Sequence, residues 1–299
     1  MARIYLGDYR KCIIVLGGVV LLALLPPAAG AGDKAPRKVA AQGVTIPDVL
    51  LQRPKVASER GLYIAAEDAL EKMKRSDTIL VDVRSAENFQ RYRIPGAVHL
   101  PLYALKSKPF LKGKCIILVN EGCSYSAMEQ ECRKLRDSSL EVWILQGGMN
   151  YWYGAGYALE GDMIAVRDLS RMSPQDAFNE VIYDRWVVVN IADADAAKVA
   201  RIFPTSIALP FGRKGTFFAF TAKSRLSSYQ DPNHSILIVD ENTNHYARVE
   251  HTLREAGYKN IFFLEGGRPA YEDVLAKQAM IWRTDAKQTI TVKKCKNCS

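Results

Sequence analysis

Cys123 is the residue of this 299-residue chain best placed to act as a nucleophile. It lies in Asn120-Glu121-Gly122-Cys123-Ser124-Tyr125-Ser126, between the apolar run Cys115–Val119 and the helix-patterned stretch Ser126–Leu135. A thiol just ahead of a helix N-terminus is helped to ionise, and the thiolate is the reactive form. The chemistry on offer is that of a thiolate nucleophile or a redox-sensing thiol, with a small apolar loop filler as the plain alternative. A second group, Cys295-x-x-Cys298, has the spacing of a redox pair or half a zinc site. Two ligands on a terminal tail do not complete a tetrahedral site, so a disulfide is at least as good a reading. His99, His234 and His251 have no carboxylate or cysteine at ligand spacing and read as structural or solvent-facing. No metal and no cofactor is expected.

The elements that must position Cys123 are legible around it. Ala65–Arg75 reads as a helix, Thr78–Val83 as a short buried strand, Glu87–Tyr92 as a short helix and Ala97–Leu100 as a strand. Cys115–Val119 and Val142–Leu145 complete the set, with the helix Ser126–Leu135 between them. Strands alternating with helices at this spacing imply parallel sheets covered by helices on both faces. The same order then returns: Val81-Asp82-Val83 is echoed by Val189-Asn190-Ile191, Ile117-Leu118-Val119 by Leu237-Ile238-Val239, and Gly147-Gly148 by Gly266-Gly267. Elements kept in register over such a length imply an internal duplication, joined near residues 160–170.

At 299 residues, with 48% apolar and 24% charged residues, the chain suits two globular domains. The formal charge of +9 is spread among acidic residues, without the basic and aromatic stripe that nucleic-acid binding favours. Arg3, Arg10 and Lys11, the apolar run Cys12–Leu25 and the small residues after Pro27 read as an export signal over 1–31. A periplasmic or cell-envelope location is expected, with membrane attachment only if that segment stays uncleaved. Residues 32–60 are polar and proline-punctuated, as a tether or strap would be. Five cysteines remain after cleavage, an odd number that leaves at least one thiol unpaired. Cys115 and Cys132 fall at different depths on a strand and the returning helix, and a disulfide between them is left open.

Val81-Asp82-Val83-Arg84-Ser85-Ala86-Glu87 with Arg93-Ile94-Pro95-Gly96-Ala97, and Leu145-Gln146-Gly147-Gly148-Met149-Asn150-Tyr151-Trp152, resemble the opening and closing signatures of the rhodanese family. The resemblance implies a rhodanese-like domain over 61–162 and a diverged second copy over 168–285, followed by a cysteine-containing tail, 286–299. In the second copy Asn190 replaces the signature Asp and Thr205-Ser206 replaces Gly-Ala. In that family a Cys opens a curved loop whose N–H groups hold a persulfide anion, and an Arg further along binds the donor. Matching the family's helix-start Ser to Ser126 puts Asn120 at the catalytic position and Tyr125 at the Arg position. In the second loop Asp240 and His245 take those places. Neither an amide nor a carboxylate can form a persulfide, and Glu121 and Glu241 are expected to repel an anionic donor.

The sequence therefore leads to an exported tandem rhodanese-like protein without standard sulfurtransferase activity, acting as a binding or interaction module. Its partner would be another protein or a small sulfur-containing anion, and not nucleic acid. The alternative is a thiosulfate or persulfide sulfurtransferase or sulfur carrier using Cys123. A thiol-redox role for Cys295 and Cys298 stands third.

Overall fold

The computed structural model describes residues 14–16, 19–21, 45–193, 196–212 and 217–295, with 14–16, 19–21 and 284–295 in backbone only. β1 (Ile14–Leu16) and β2 (Val19–Leu21) pair antiparallel. The rest of the expected export segment, the start of the strap and Cys298 lie outside the described residues.

From residue 45 the chain forms a strap containing the short helix α1 (Asp48–Leu51). The first α/β unit follows: β3 (Tyr63–Ile64), α2 (Ala66–Met73), β4 (Thr78–Asp82), α3 (Ala86–Arg91), β5 (Tyr92–Arg93), β6 (Val98–His99), β7 (Cys115–Val119), α4 (Tyr125–Asp137), β8 (Glu141–Leu145) and α5 (Gly148–Gly154). Its sheet runs β3-β8-β7-β4-β6 with every pairing parallel. β5 instead pairs antiparallel with β9 (Glu160–Gly161).

β7 shows why the central strand reads as an unbroken apolar run. Side chains alternate between the two faces of a strand. Ile117 and Val119 accordingly enter one core, with Leu80, Leu145 and Trp152, while Ile116 and Leu118 enter another, with Met128, Cys132 and Leu135 of α4. A strand covered by helices on both sides has no polar face to show. α3 begins where Ser85 accepts the Asn88 N–H at 3.2 Å, an N-cap.

The second unit repeats this order with β10 (Arg171–Met172), α6 (Pro174–Glu180), β11 (Trp186–Asn190), α7 (Ala196–Ile202), β12 (Ile207–Ala208), α8 (Phe218–Leu226), β13 (Ser235–Val239), α9 (Tyr246–Glu255), β14 (Ile261–Leu264) and α10 (Gly267–Cys295). Its sheet order, β10-β14-β13-β11-β12, is the first sheet's order element for element. The duplication expected from sequence is thus present in the topology. α10 continues through the expected boundary at 285/286 to Cys295, so most of the supposed tail is helix.

The strap packs on the second unit. Ile46, Leu50 and Leu51 lie against its core, and Val56 exchanges backbone hydrogen bonds with Ile182 and Asp184 at 2.8 and 2.9 Å. Cys115 and Cys132 are free buried thiols, and Cys132 Sγ donates to the Val142 carbonyl at 3.5 Å, which resolves the open disulfide reading as unpaired.

Candidate functional site

Asn120 stands where β7 ends, and its side chain closes the loop upon itself. Oδ1 accepts the Gly122 N–H at 2.9 Å, and Nδ2 donates to the Cys123 carbonyl. The Gly-Gly motif then locks this loop from the side. The N–H groups of Met149 and Asn150, at the start of α5, donate to the Asn120 and Glu121 carbonyls at 2.9 Å each. That approach leaves no room for a side chain. A Cβ on Gly148 would lie 2.5 Å from Gly122 Cα, and one on Gly122, at φ +110°, 2.3 Å from the Gly147 carbonyl oxygen.

The N-terminus of α4 would be the anion-holding end of a working loop. Here it receives a carboxylate from the other unit. The N–H groups of Tyr125 and Ser126 favour the ionised carboxylate of Glu180, the last residue of α6. Glu180 is 1% exposed, and the Trp186 indole N–H reaches it at 3.4 Å. Burial raises its pKa, while the donated hydrogen bonds and nearby Arg185 act in the opposite direction. One turn earlier on α6, Asp176 accepts from the Ser124 hydroxyl at 3.2 Å. The first loop is therefore covered by α6.

Two sequence-based expectations are corrected here. Cys123 does not face an electropositive mouth. It is 8% exposed and belongs to the second unit's core cluster, with Met172, Ala177, Phe178 and Phe262. Burial pushes its thiol pKa well up, and the carboxylates of Glu121, Asp176 and Glu180 push it further. Tyr125 does not stand beside a donor anion either. Its buried ring packs edge-on to Tyr63 at 5.5 Å, with the Arg185 guanidinium 4.4 Å from its centre. Ser126 is exposed on the first turn of α4. Glu121 is largely withdrawn from solvent, accepting from Asn88 Nδ2 at 3.3 Å, and burial raises its pKa.

The second loop is built alike but lies open. Arg268 N–H donates to the Asp240 carbonyl at 2.9 Å, the counterpart of Met149 on Asn120. Asp240 Oδ1 accepts the Glu241 N–H at 2.8 Å, and Oδ2 meets His245 Nδ1 at 2.9 Å. The carboxylate thus takes one loop N–H and an imidazole. His245 leans on Phe211 at 5.3 Å between ring centres. Asn242, Thr243 and Asn244 are exposed, where Gly122 and Cys123 of the first loop are buried. Glu241 is not the free repelling charge expected from sequence. The Arg268 guanidinium pairs with both of its carboxylate oxygens and also reaches Glu272.

The signature residues below the loops hold the fold. Arg84 pairs bidentately with Asp82 at 3.0 and 2.8 Å and donates to the Tyr92 carbonyl at 2.6 Å, with both side chains fully buried. In the second unit Asn190 accepts the Ala192 N–H at 3.0 Å and donates to the Ala196 carbonyl at 2.9 Å. Asn suffices there because Ala192 stands where Arg84 stood, and no cation needs a counter-charge. Sequence reasoning missed Glu180, Asp176, Arg185 and Arg268. Arg268 had a local signal, since it follows Gly266-Gly267 where Met149 follows Gly147-Gly148. The other three act across the two units, and no local pattern announces them.

Residues 65–155 match the family description "Rhodanese-like domain". No curated protein matches the chain at a significant level. Among solved structures, the chain is similar to the BH2092 protein of Bacillus halodurans, at 26% identity and TM-score 0.31 over 35% of this chain and 81% of that one. It is similar to a rhodanese-related protein of Thermoplasma volcanium at 20% identity and TM-score 0.29, over 33% and 96% of the two chains. A thiosulfate sulfurtransferase of Pseudomonas aeruginosa matches at 17% identity and TM-score 0.29, over 70% of this chain and 42% of its own length. The likeness to the family is that of residues 65–155.

Proposed function

We propose, from the premise that residues 65–155 are a rhodanese-like domain, that this chain is a non-catalytic, exported tandem of two such domains that works by binding. The observation that carries the reading is the occupancy of the first loop. Asn120 stands where the family keeps its nucleophile and satisfies the loop's own polar groups. The helix start that would receive an anionic sulfur has the buried carboxyl of Glu180 beside it instead, with the Tyr125 and Ser126 N–H groups favouring its ionised form. A persulfide needs a sulfur at the loop's first position and free donors around it, and both requirements go unmet.

Burial and the raised pKa of Cys123 argue against the sulfur-carrier alternative, since a thiolate is disfavoured there by desolvation and by three nearby carboxylates. The second loop, with Asp240 at its start, supports the same non-catalytic reading, and its exposed rim of Asn242, Thr243 and Asn244 is the more accessible of the two surfaces. Export to the periplasm or cell envelope follows from the N-terminal residues, and a protein partner or a small sulfur-containing anion fits a binding role. The test is sulfur transfer from thiosulfate to cyanide by the full chain. The expected rate equals the uncatalysed one, in the unmodified protein and in Cys123→Ser alike. Turnover that disappears in Cys123→Ser would replace this reading with the sulfur-carrier one.

A further inference from the structure

The strap crosses the second unit and leaves a space beneath part of its length. It is held at one end by Arg283, which donates to the Thr45 carbonyl at 2.8 Å, and at the other by the backbone bonds of Val56. Between these points lies a cavity of about 340 Å³, within the size range of small-molecule sites. Its walls include Leu50 and Leu51 from the strap, Val188 from β11, Ile202 and Phe203 at the end of α7, and Tyr271 from α10.

The charged groups in the lining of this cavity are both cations, Arg53 and Lys55, with Asp184 near Lys55 and with Asp176 and Glu180 in the adjoining pocket that Arg53 also lines. Lys55 is engaged, donating to the Val181 carbonyl at 2.8 Å as α6 ends. Arg53 is not neutralised in that way. Its half-buried guanidinium lies 3.8 Å from the centre of the Phe178 ring with the Tyr271 hydroxyl near it, and among the described residues it makes no salt bridge. Burial lowers its pKa, as expected of a cation without a counter-charge. A partly desolvated guanidinium facing an apolar chamber is completed by an anion that brings its own apolar body.

We propose that this cavity binds a small amphipathic anion, with a carboxylate or sulfonate head on Arg53 and an apolar body between Leu50, Val188 and Phe203. The site lies under the strap, and its occupancy does not depend on whether either loop is catalytic, although Arg53 also borders a pocket that Ser124 and Ser126 line. Closing the strap over a ligand would link binding to the stability of the second unit.

Octanoate is the probe, with octanamide as its uncharged counterpart, and calorimetry on the full chain is the readout. Octanoate is expected to bind at one site per chain and to raise the melting temperature, and octanamide to bind at least ~10-fold more weakly. Arg53→Gln should weaken octanoate ~10-fold or more and bring it level with octanamide. Val188→Phe, which fills the chamber and leaves Arg53 in place, should abolish binding of both. Equal binding of octanoate and octanamide to the unmodified chain would overturn the proposal without any variant. So would octanoate binding that survives both substitutions in folded protein, or no saturable binding at all.

Discussion

A cysteine ahead of a helix is not by itself a reactive cysteine. What decides is which way the thiol faces and what charges it meets, and Cys123 turns into an apolar cluster beside three carboxylates. In a chain with Cys12, Cys295 and Cys298 changed to Ser, a thiol reagent should therefore modify nothing until denaturant is added, because Cys115, Cys123 and Cys132 are all buried. Fast modification of one thiol, lost in Cys123→Ser, would contradict this. The buried carboxyls give a second prediction at this scale. The pKa values of Glu180 and Glu121 are raised by burial from the ordinary 4.5. A carboxyl that holds its proton more tightly when folded contributes stability that is full below 4.5 and is lost as pH rises through the raised value. Glu141, lowered to about 2 by its bonds to Lys72 and Trp143, acts below that window. Glu180→Gln should thus flatten the decline in unfolding free energy above pH 4.5, measured by urea denaturation, and an unchanged slope would be the contrary result. That Asn120 and Asp240 begin their loops was legible from strand register and helix start. The fate of Tyr125 and Glu241 was not, because a side chain's direction depends on partners such as Arg185 and Arg268 that lie far along the chain.

Among the elements, the two loops differ in cover more than in build. Each starts at the end of a central parallel strand and is held by backbone N–H groups following a Gly-Gly turn. The first is roofed by α6, and the second has an exposed rim. A cysteine introduced on the exposed rim of the second loop, Thr243→Cys, should react with a thiol reagent in the native protein, whereas Asn120→Cys in the buried first loop should stay inert until unfolding. Adding Tyr125→Arg to Asn120→Cys should not rescue sulfur transfer, since residue 125 lies in the buried contact with Tyr63 and Arg185 and a second guanidinium there would be repelled. The close packing of loop against turn predicts that Gly122→Ala costs more than ~2 kcal/mol of unfolding free energy, from steric overlap and a left-handed backbone position. A cost below ~0.5 kcal/mol would mean that the turn yields easily. These elements were readable because continuous apolar runs such as Cys115–Val119 and Ser235–Val239 are what doubly covered strands require. Element ends were less so, as with α10, which runs through an expected tail without any sequence break.

At the scale of the molecule, the duplicated units are joined by polar contacts that have left the solvent. Arg185 from the second unit meets Glu129 of α4 at 2.8 Å, both nearly buried, while the Tyr63 hydroxyl donates to the same carboxylate at 2.5 Å. Arg185→Ala would strand that carboxylate, and a loss of about 3 kcal/mol is expected by denaturant unfolding. An unchanged midpoint would show that the pair contributes little. Asn150 and Arg254 extend the same seam, the Asn150 amide donating to the Ile261 carbonyl at 2.7 Å and accepting from Arg254 at 2.8 Å. The repeat was visible in sequence, but this seam was not, since each of its bonds joins residues that are unremarkable within their own unit. Intact mass spectrometry of the full chain after incubation with thiosulfate checks the proposal that neither loop carries sulfur, and an unchanged mass is expected. Gain of one sulfur atom, removed by cyanide and absent in Cys123→Ser, would contradict it.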